Sequence, residues 1–329
     1  MATQTLSFQA ILRWSDSECR EFLERMRWPD GPRCPKCGTT EPYKVERKSR
    51  TKNLVQKLYK CRSCRKQFTA TVGTIFEDSK IPLNKWFAAI MMMCSSKKGI
   101  SAHWMHRNLD ITYKSAWFMA HRIREAMREK GTLLPFTGTV EADETYIGGK
   151  PRGHAVWKER EKDEIQMGLR PKPKNRAPFQ DKVAVFGMIE RGGLVRTIKV
   201  PAATAQTLGP ILRANLDLTT ARLITDGHKA YKHIGAFLPH DVINHDTEYV
   251  RGDVYTQGIE NYWSLLKRGL YGVFHHVGED YLPQYLNEFE YRFNRRKVSD
   301  AERFAALMAQ TQGRLLWYCR TPQPENPHA

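Results

Sequence analysis

Apolar positions recur at helical spacing in two parts of the first 130 residues, the first 30 residues and the segment from Ile81 to Lys130. Near the N-terminus they predict a pair of amphipathic helices that ends at "WPDGP", and the apolar positions are Phe8, Ile11, Leu12, Phe22, Leu23 and Met26. From Ile81 to Lys130 the pattern is helical almost throughout, with breaks near Gly99 and Asp110. A helix, a short break and a second helix starting near Thr112 predict a helix-turn-helix, although a basic helical hairpin fits the same pattern.

After Gly131 the pattern changes to short apolar runs that alternate with amphipathic stretches, which predicts an α/β domain. The predicted order is a strand over Thr137 to Tyr146, a hairpin of Val183 to Ile189 with Leu194 to Val200, a helix over Ala205 to Leu216, the strand "ARLITD", a helix around Tyr231, the strand "HDVINH" and a long helix from Gly258. The polar, basic segment from Lys150 to Lys182 predicts a mobile loop that follows a DNA backbone without reading its sequence.

Charge narrows the partners of the chain. Its 329 residues carry 53 Lys and Arg against 35 Asp and Glu, a formal net charge of +18. This excess indicates a polyanion, nucleic acid before an acidic membrane surface, with a merely soluble basic protein as the plain alternative. The longest apolar run, "WFAAIMMMC", is shorter than the roughly 20 residues of a membrane span, and the N-terminus has no signal-peptide pattern. We therefore expect a cytoplasmic protein with reduced thiols and no membrane partner.

Four of the seven cysteines form two C-x2-C pairs. Cys34 with Cys37 forms the first pair and Cys61 with Cys64 the second, with strand-like runs between them. One tight turn presents two thiolates to one ion, and two such turns complete a tetrahedron, so the spacing predicts a structural Zn²⁺ in a zinc ribbon. A redox pair in each motif is the alternative.

Three acids stand out by position in the second half of the chain. Asp143 lies on the first predicted strand, Asp226 ends the strand "ARLITD", and Glu260 begins the long helix. Two Asp and one Glu from separate elements suit hard divalent cations such as Mg²⁺ or Mn²⁺, and a pair of such ions serves in-line displacement at a phosphodiester. Each acid also has a plain interpretation, because Asp is a good turn residue and Glu suits a helix start.

Two further acids crowd the segment "TVEADETYIGGK". Alternation along a strand places Glu141 and Asp143 on one face and Glu144 on the other. We assign Asp143 to the metal and Glu141 to a supporting position beside it. Glu144 is expected to cap the chain locally or to pair with a nearby Lys or Arg.

The order of these motifs resembles a known family. The zinc ribbon, the helical segment, "EADETYIGGK", "TDGHKAY", "GIENYWSLLKRGLYG" and "YLNEFEYRFNRRK" look like those of the zinc-ribbon DDE transposases of bacterial insertion sequences, the ISXO-like group. The resemblance covers roughly Phe8 to Phe304. It implies an α/β, RNase H-like catalytic domain, a mixed sheet flanked by helices, which cuts and rejoins DNA at transposon ends with divalent metal.

On the family pattern, Asp143, Asp226 and Glu260 are the catalytic triad and hold Mg²⁺ or Mn²⁺. Members often carry Asn three residues before this Glu, whereas this chain has Gln257, so a neighbour such as Gln257 or Asn261 remains an alternative third position. The predicted DNA-binding residues are Lys267 and Arg268 on the Glu260 helix, together with Lys114 and Arg122 in the helix-turn-helix-like region.

Two further segments are predicted to contact DNA or to pack in the core. Thr112 and Ser115 are predicted near base edges, and Arg124 near phosphates. In "NEFEYRFNRRK", interleaved aromatic and basic residues either grip DNA or pack a helix into the core with a solvated basic face.

The predicted domains are an N-terminal helical segment (1–30), the zinc ribbon (31–75), the helix-turn-helix-like region (76–132), the RNase H-like catalytic domain (133–310) and a C-terminal tail (311–329). The expected partners are transposon terminal inverted repeats and target DNA, with a homo-oligomer assembled on DNA and association with a bacterial nucleoid. Two other functions stay open: a non-catalytic zinc-ribbon DNA-binding regulator, and a structure-selective RNase H-like nuclease.

Overall fold

The computed structural model describes residues 7–48, 55–129, 133–148, 166–167, 182–232, 234–245 and 247–314. The chain divides into two compact units. The first combines Met1–Lys130 with Arg295–Ala329, and the second is Gly131–Asn294. The loop predicted from Lys150 to Lys182 and the tail "TPQPENPHA" lie outside the described residues, apart from 166–167 and Lys182.

The first unit contains six helices and a three-stranded sheet within the described ranges. The helices are α1 (Phe8–Arg13), α2 (Asp16–Arg27), α3 (Leu83–Ser95), α4 (Ala102–Leu109), α5 (Tyr113–Met127) and α9 (Asp300–Ala309). The strands β1 (Tyr43–Lys48), β2 (Val55–Lys60) and β3 (Gln67–Phe68) pair antiparallel in that order. The amphipathic helices and the two long ribbon strands predicted from the sequence are therefore present.

Helix ends in this unit follow from local sequence. Ser15 begins α2 with a capping box, because its hydroxyl accepts from the Glu18 amide while the Glu18 carboxylate accepts from the Ser15 amide. Ser299 and Glu302 repeat this arrangement at α9. Asp110 ends α4 in the left-handed conformation, and Thr112 caps α5, so the predicted break between these helices is confirmed.

The core of the first unit joins the chain ends through aromatic contacts. Phe304 of α9 lies with its ring centroid 6.0 Å from Phe22 of α2 and 6.2 Å from Phe87 of α3. Arg303 donates to the carbonyl of Cys94 at 2.6 Å. The predicted catalytic domain extends to residue 310, whereas these contacts group α9 with α2 and α3.

The second unit is a mixed five-stranded sheet with strand order β6-β5-β4-β7-β8. The strands are β4 (Thr139–Ile147), β5 (Val183–Glu190), β6 (Val195–Val200), β7 (Arg222–Asp226) and β8 (His240–Ile243). β6, β5 and β4 pair antiparallel, whereas β4, β7 and β8 run parallel. This sheet confirms the predicted fold class.

Helices α6 (Ala205–Asn215), α7 (Gln257–Gly269) and α8 (Leu282–Asn294) complete the described second unit. One apolar cluster joins even-numbered β4 residues such as Val140 and Ala142 to Leu208 and Leu212 of α6. The other joins Ile147 to residues of α7 and α8. The sheet is thus covered on both faces.

The segment around Tyr231 differs from its prediction. Instead of an α-helix, it forms short 3-10 turns at Lys229–Tyr231 and Ile234–Ala236. Gly227 and Gly235 flank a stretch too short to reward helix nucleation, so tight turns between β7 and β8 are the outcome. In the described part of the chain, no helix has both the length and the apolar character to cross a membrane.

Candidate active site and zinc centre

The four paired cysteines converge on one point of the first unit. The sulfur atoms of Cys34 and Cys64 lie 3.6 Å apart, those of Cys37 and Cys61 lie 3.5 Å apart, and all four lie within 4.8 Å of one another. A tetrahedral Zn²⁺ with Zn–S bonds of ~2.3 Å separates its sulfurs by about 3.8 Å. The cluster therefore fits Zn²⁺, as predicted.

Local hydrogen bonds hold the turn of the first C-x2-C pair, Cys34 with Cys37, in this geometry. The Cys34 amide donates to the Thr39 carbonyl at 3.0 Å, which closes the turn. The Thr39 hydroxyl lies 3.2 Å from the Cys37 sulfur, and hydrogen bonding from Thr39 lowers the pKa of that thiol to about 6. A thiolate is the form that binds metal, so this contact favours metal binding.

A second site begins where strand β7 ends beside the middle of the parallel strand β4. Ala142 of β4 is opposite Thr225 of β7, and Asp143 and Asp226 are the next residues of the two strands. Successive side chains alternate between faces, so both carboxylates lie on the face that carries Glu141 and Ile224. Parallel pairing thus brings together two acids that are far apart in sequence.

Helix α7 packs on this face and is joined directly to Asp143. The indole Nε1 of Trp263 donates to Asp143 Oδ2 at 3.0 Å, and the Glu144 amide donates to Asp143 Oδ1 at 2.7 Å. Gly187 is opposite Asp143 on β5, and a Cβ there would lie 2.5 Å from the Trp263 ring. Glycine at this position is therefore required for the indole to reach the carboxylate.

Glu260 projects from the first turn of α7, and its carboxylate contacts Thr256 and His245. Its Oε1 accepts from the Thr256 hydroxyl at 2.8 Å and lies 3.2 Å from Nε2 of His245. The Thr256 hydroxyl is also 3.0 Å from His245 Nε2. The Glu260 side chain is 47% exposed, so it faces an opening rather than the core.

The acids of this site act on one another electrostatically. Burial raises the pKa of Asp143 to about 6, the Glu144 amide opposes this, and the charges of Asp226 and Glu260 raise it further. In the described ranges, neither Asp143 nor Asp226 forms an ion pair with Lys or Arg. Within the described ranges, the negative charge of Asp143 and Asp226 therefore has no Lys or Arg to neutralise it.

Glu141 shows the opposite arrangement two residues earlier on the same face. It is 1% exposed, and its Oε1 accepts from Arg191 Nε at 2.9 Å. Its carboxylate is neutralised by protein groups, whereas that of Asp143 is not. This contrast supports the separation of the two acids into a supporting residue and a metal ligand.

Glu144 faces the other side of β4, as alternation predicted, but its predicted Lys or Arg partner is wrong. Its Oε1 lies 3.4 Å from Nδ1 of His228 instead. Burial raises the pKa of Glu144 to about 7, the Tyr231 hydroxyl opposes this, and Asp143 and Asp226 raise it further. No Lys or Arg among the described residues pairs with Glu144, because this face of β4 packs against the apolar cluster that includes α6.

The three acids fit divalent cations without forming a closed cage. Within the described chain, the four cysteines are the group of side chains close enough to hold one ion, with ligand atoms within 4.8 Å of one another, and the three acids do not form such a group. Carboxylate oxygens are the ligands that Mg²⁺ and Mn²⁺ prefer, and their uncompensated charge favours cation binding. Asp143, Asp226 and Glu260 would hold such ions.

The predicted DNA-binding residues are found in different environments. Lys114 is exposed near the start of α5, Arg268 is exposed on α7, and Lys267 is half-buried. Thr112 caps α5 by accepting from the Ser115 amide at 3.2 Å. These positions remain predictions.

The predicted phosphate contacts of Arg122 and Arg124 are wrong for this structure, because the two residues are buried, at only 7% and 2% exposure. Arg122 donates to the Glu77 carbonyl at 2.9 Å, and its guanidinium lies over the Phe118 ring, so it cannot face a phosphate in this structure. For the segment "NEFEYRFNRRK", most of which lies in α8, the structure favours packing into the core over contact with DNA. Phe289 and Tyr291 are fully buried, and Arg292 pairs with buried Glu288.

Three supporting residues of the acidic site were missed from the sequence. They are Trp263, which donates to Asp143, His245 beside Glu260, and Arg191 beside Glu141. Trp263 carried a usable signal, since it lies three residues after Glu260 and one helical turn returns it to a similar face. His245 and Arg191 lie on loops, where no periodicity indicates a partner.

Fold and site together define a class of protein: a mixed α/β domain with acids on two adjacent parallel strands and on a helix, in one chain with a four-cysteine zinc ribbon. Comparison with known families agrees. Residues 135–294 match the ISXO2-like transposase domain, and residues 14–67 match the transposase zinc-ribbon domain. The chain therefore carries an ISXO2-like transposase domain together with a transposase zinc-ribbon domain, and it is similar in both to the zinc-ribbon transposases of insertion sequences.

A curated relative gives the same picture. The chain is 28% identical over 282 residues to an uncharacterized protein in transposable element ISH50 of Halobacterium salinarum. The similarity covers 84% of this chain and 90% of that protein.

Proposed function

We propose that this transposase cuts DNA at transposon ends and joins the freed strand to target DNA. Water is the nucleophile of the first step, and the 3′-hydroxyl that it frees is the nucleophile of the second. Both are in-line displacements at a phosphodiester, without a covalent protein intermediate. The support is the family, together with three mutually repelling acids that lack a Lys or Arg ion pair in the described chain.

The proposed ligands come from three separate elements. Asp143 and Asp226 extend from adjacent parallel strands, and Glu260 extends from α7. When bound, two divalent ions would supply charge stabilisation to the attacking and leaving oxygens. Trp263 orients the Asp143 carboxylate through its hydrogen bond, and the Thr256 hydroxyl orients Glu260.

The remaining expectations complete the proposal. Lys267 and Arg268 lie on the helix that carries Glu260, and we assign them to the DNA near the cut bond. The zinc ribbon (31–75) and the helical region (76–132) bind the transposon end, and the α/β unit of residues 131–294 carries the chemistry. Two copies of the chain assemble on DNA because two transposon ends must be held together.

The test incubates the full chain with Mg²⁺ or Mn²⁺, labelled transposon-end DNA and a target plasmid. We expect end cleavage and joined products, both lost on Asp143→Ala. Asp217→Asn is the matched control, because Asp217 is a half-buried turn acid of the same unit that accepts from the Thr219 amide. It should keep full activity.

The outcomes separate the alternatives. Cleavage without joining would favour the structure-selective nuclease. DNA binding without cleavage in either metal would favour the non-catalytic regulator and overturn both enzyme functions.

A further inference from the structure

The amino end of α7 is capped by a carboxylate from the sheet instead of by its own N-cap residue. The N-cap Thr256 makes no capping hydrogen bond, because its hydroxyl is directed to Glu260 and His245. The first amides of a helix have no partner within the helix. Here the amides of Gly258 and Ile259 donate to Oε2 of Glu141 at 2.7 and 3.1 Å.

The second oxygen of Glu141 joins the same helix to the sheet by another route. Oε1 accepts from Arg191 Nε, and the other nitrogens of that guanidinium donate to the carbonyls of Asp253 at 2.7 Å and Tyr255 at 2.9 Å. The guanidinium also lies 3.7 Å from the centre of the Tyr255 ring. One buried carboxylate therefore fixes both the helix and the loop that precedes it.

Helix α7 is thus attached to β4 at two points, and Glu260 lies between them. Glu141 holds residues 258 and 259, and Asp143 accepts from Trp263 one turn later. Gly258 is required for the first attachment, since a Cβ there would lie 2.7 Å from Glu141 Oε2. The distance from Glu260 to Asp143 follows from these two attachments.

We propose that Glu141 is a positioning residue that sets Glu260 against Asp143 and so sets the affinity of the site for divalent cations. The proposal rests on the proposed function, because it takes these two acids as ligands. A carboxylate is needed at this position: Arg191 and the helix amides are all donors, and Glu141 offers each group an acceptor oxygen. A Gln has one oxygen and would turn an NH₂ group toward one of them.

The first experiment compares Glu141→Gln with the unaltered chain by calorimetric titration with Mn²⁺. We expect Mn²⁺ binding about tenfold weaker, in line with the loss of other groups that orient metal ligands. In the cleavage assay, kcat should fall by about tenfold while KM for DNA is unchanged, since the DNA-facing surface is intact. Unchanged Mn²⁺ affinity in a folded Glu141→Gln variant would overturn the proposal.

The matched control is Glu248→Gln, which removes the charge from another Glu–Arg pair of the same unit. Glu248 pairs with Arg251 at 3.0 Å, and within the described chain none of its hydrogen bonds or ion pairs reaches α7. It should leave Mn²⁺ affinity and kcat unchanged. An equal loss in both variants would assign the effect to general destabilisation and contradict a positioning role.

Amide hydrogen exchange of the unaltered chain tests the contact without any substitution and serves if Glu141→Gln fails to fold. Protected amides at Gly258 and Ile259 are expected, whereas exchange at the rate of free first-turn amides would overturn the proposal. If the unaltered chain binds no Mn²⁺ and cuts no DNA, the proposed function fails, and protected amides would show that the Glu141 contact itself is correct.

Discussion

The two candidate metal sites of this chain are built in opposite ways. The thiolate site draws four sulfurs within 4.8 Å of one another, from two short motifs with hydrogen-bonded turns. The acidic site would take its ligands from two strands and a helix, and it leaves the Glu260 side chain 47% exposed. A closed site holds an ion for structure, whereas an open site keeps space for a substrate.

The largest effect is expected from a substitution that removes a ligand of the thiolate site. Cys61→Ser should remove Zn²⁺ and unfold the ribbon strands β1 and β2, because zinc contributes roughly 10–16 kcal/mol to the folding of such small units. Zinc content by mass spectrometry and hydrogen exchange of the ribbon strands measure this. Cys19→Ala, at a buried lone thiol, is the control and should keep one zinc per chain.

Retention of zinc, or of strand protection without zinc, would refute the closed site. The acidic site gives the contrast, since removing Mg²⁺ should leave the five-stranded sheet folded.

A smaller effect concerns pH in the metal-free chain. The pKa values of Asp143 and Glu144 are raised in the fold to about 6 and about 7, so the native state binds more protons than the unfolded state above pH ~4. The free energy of unfolding should therefore fall by about 1–3 kcal/mol as pH rises from about 4.5 to 7.5.

The change is measured as the difference between the unaltered chain and Asp143→Asn in urea titrations, which cancels the effect of overall charge. Asp143→Asn should be relatively more stable at pH 7.5, and Mg²⁺ should stabilise the unaltered chain only. A difference that grows toward acid would contradict the assignment of repulsion to this site.

The smallest effect tests the orientation of a single carboxylate. Trp263→Phe removes the donor to Asp143 Oδ2 and should lower the cleavage rate by about tenfold, the usual scale for a hydrogen bond to a charged group. Because that hydrogen bond lowers the pKa of Asp143, the acidic limb of the rate profile should move to higher pH.

Trp104→Phe, at a tryptophan 39% exposed on α4 in the other unit, is the control and should leave the acidic limb of the rate profile unchanged. A reduced rate without the pH shift would assign the loss to packing beside Gly187.

What the sequence could predict depends on how local each signal is. Both C-x2-C pairs and the strand alternation at Glu141 and Asp143 are encoded within a few residues, and both of these local patterns agree with the structure. The adjacency of Asp143 and Asp226 depends on parallel pairing between distant segments of the chain, which spacing alone does not determine. The resemblance to a family supplied it.

The burial of Arg122 could not be predicted, because a basic residue on an amphipathic helix is usually solvated. Its head group is stabilised by the carbonyl of Glu77, which comes from a distant part of the same unit, and by aromatic rings. The partners of Glu144 were likewise determined by the turns after β7, where His228 and Tyr231 lie.

Helix α9 follows the α/β unit in sequence but completes the core of the unit that begins the chain, through Phe304 and Arg303. In genetic terms, the reading frame encodes that first unit in two separated pieces. A mobile element that loses its last codons, by a frameshift or an early stop after Asn294, would therefore not yield a DNA-binding fragment with a clipped tail. It would yield a chain whose first unit lacks a core helix, so such truncated copies are expected to be degraded rather than to act as inhibitors.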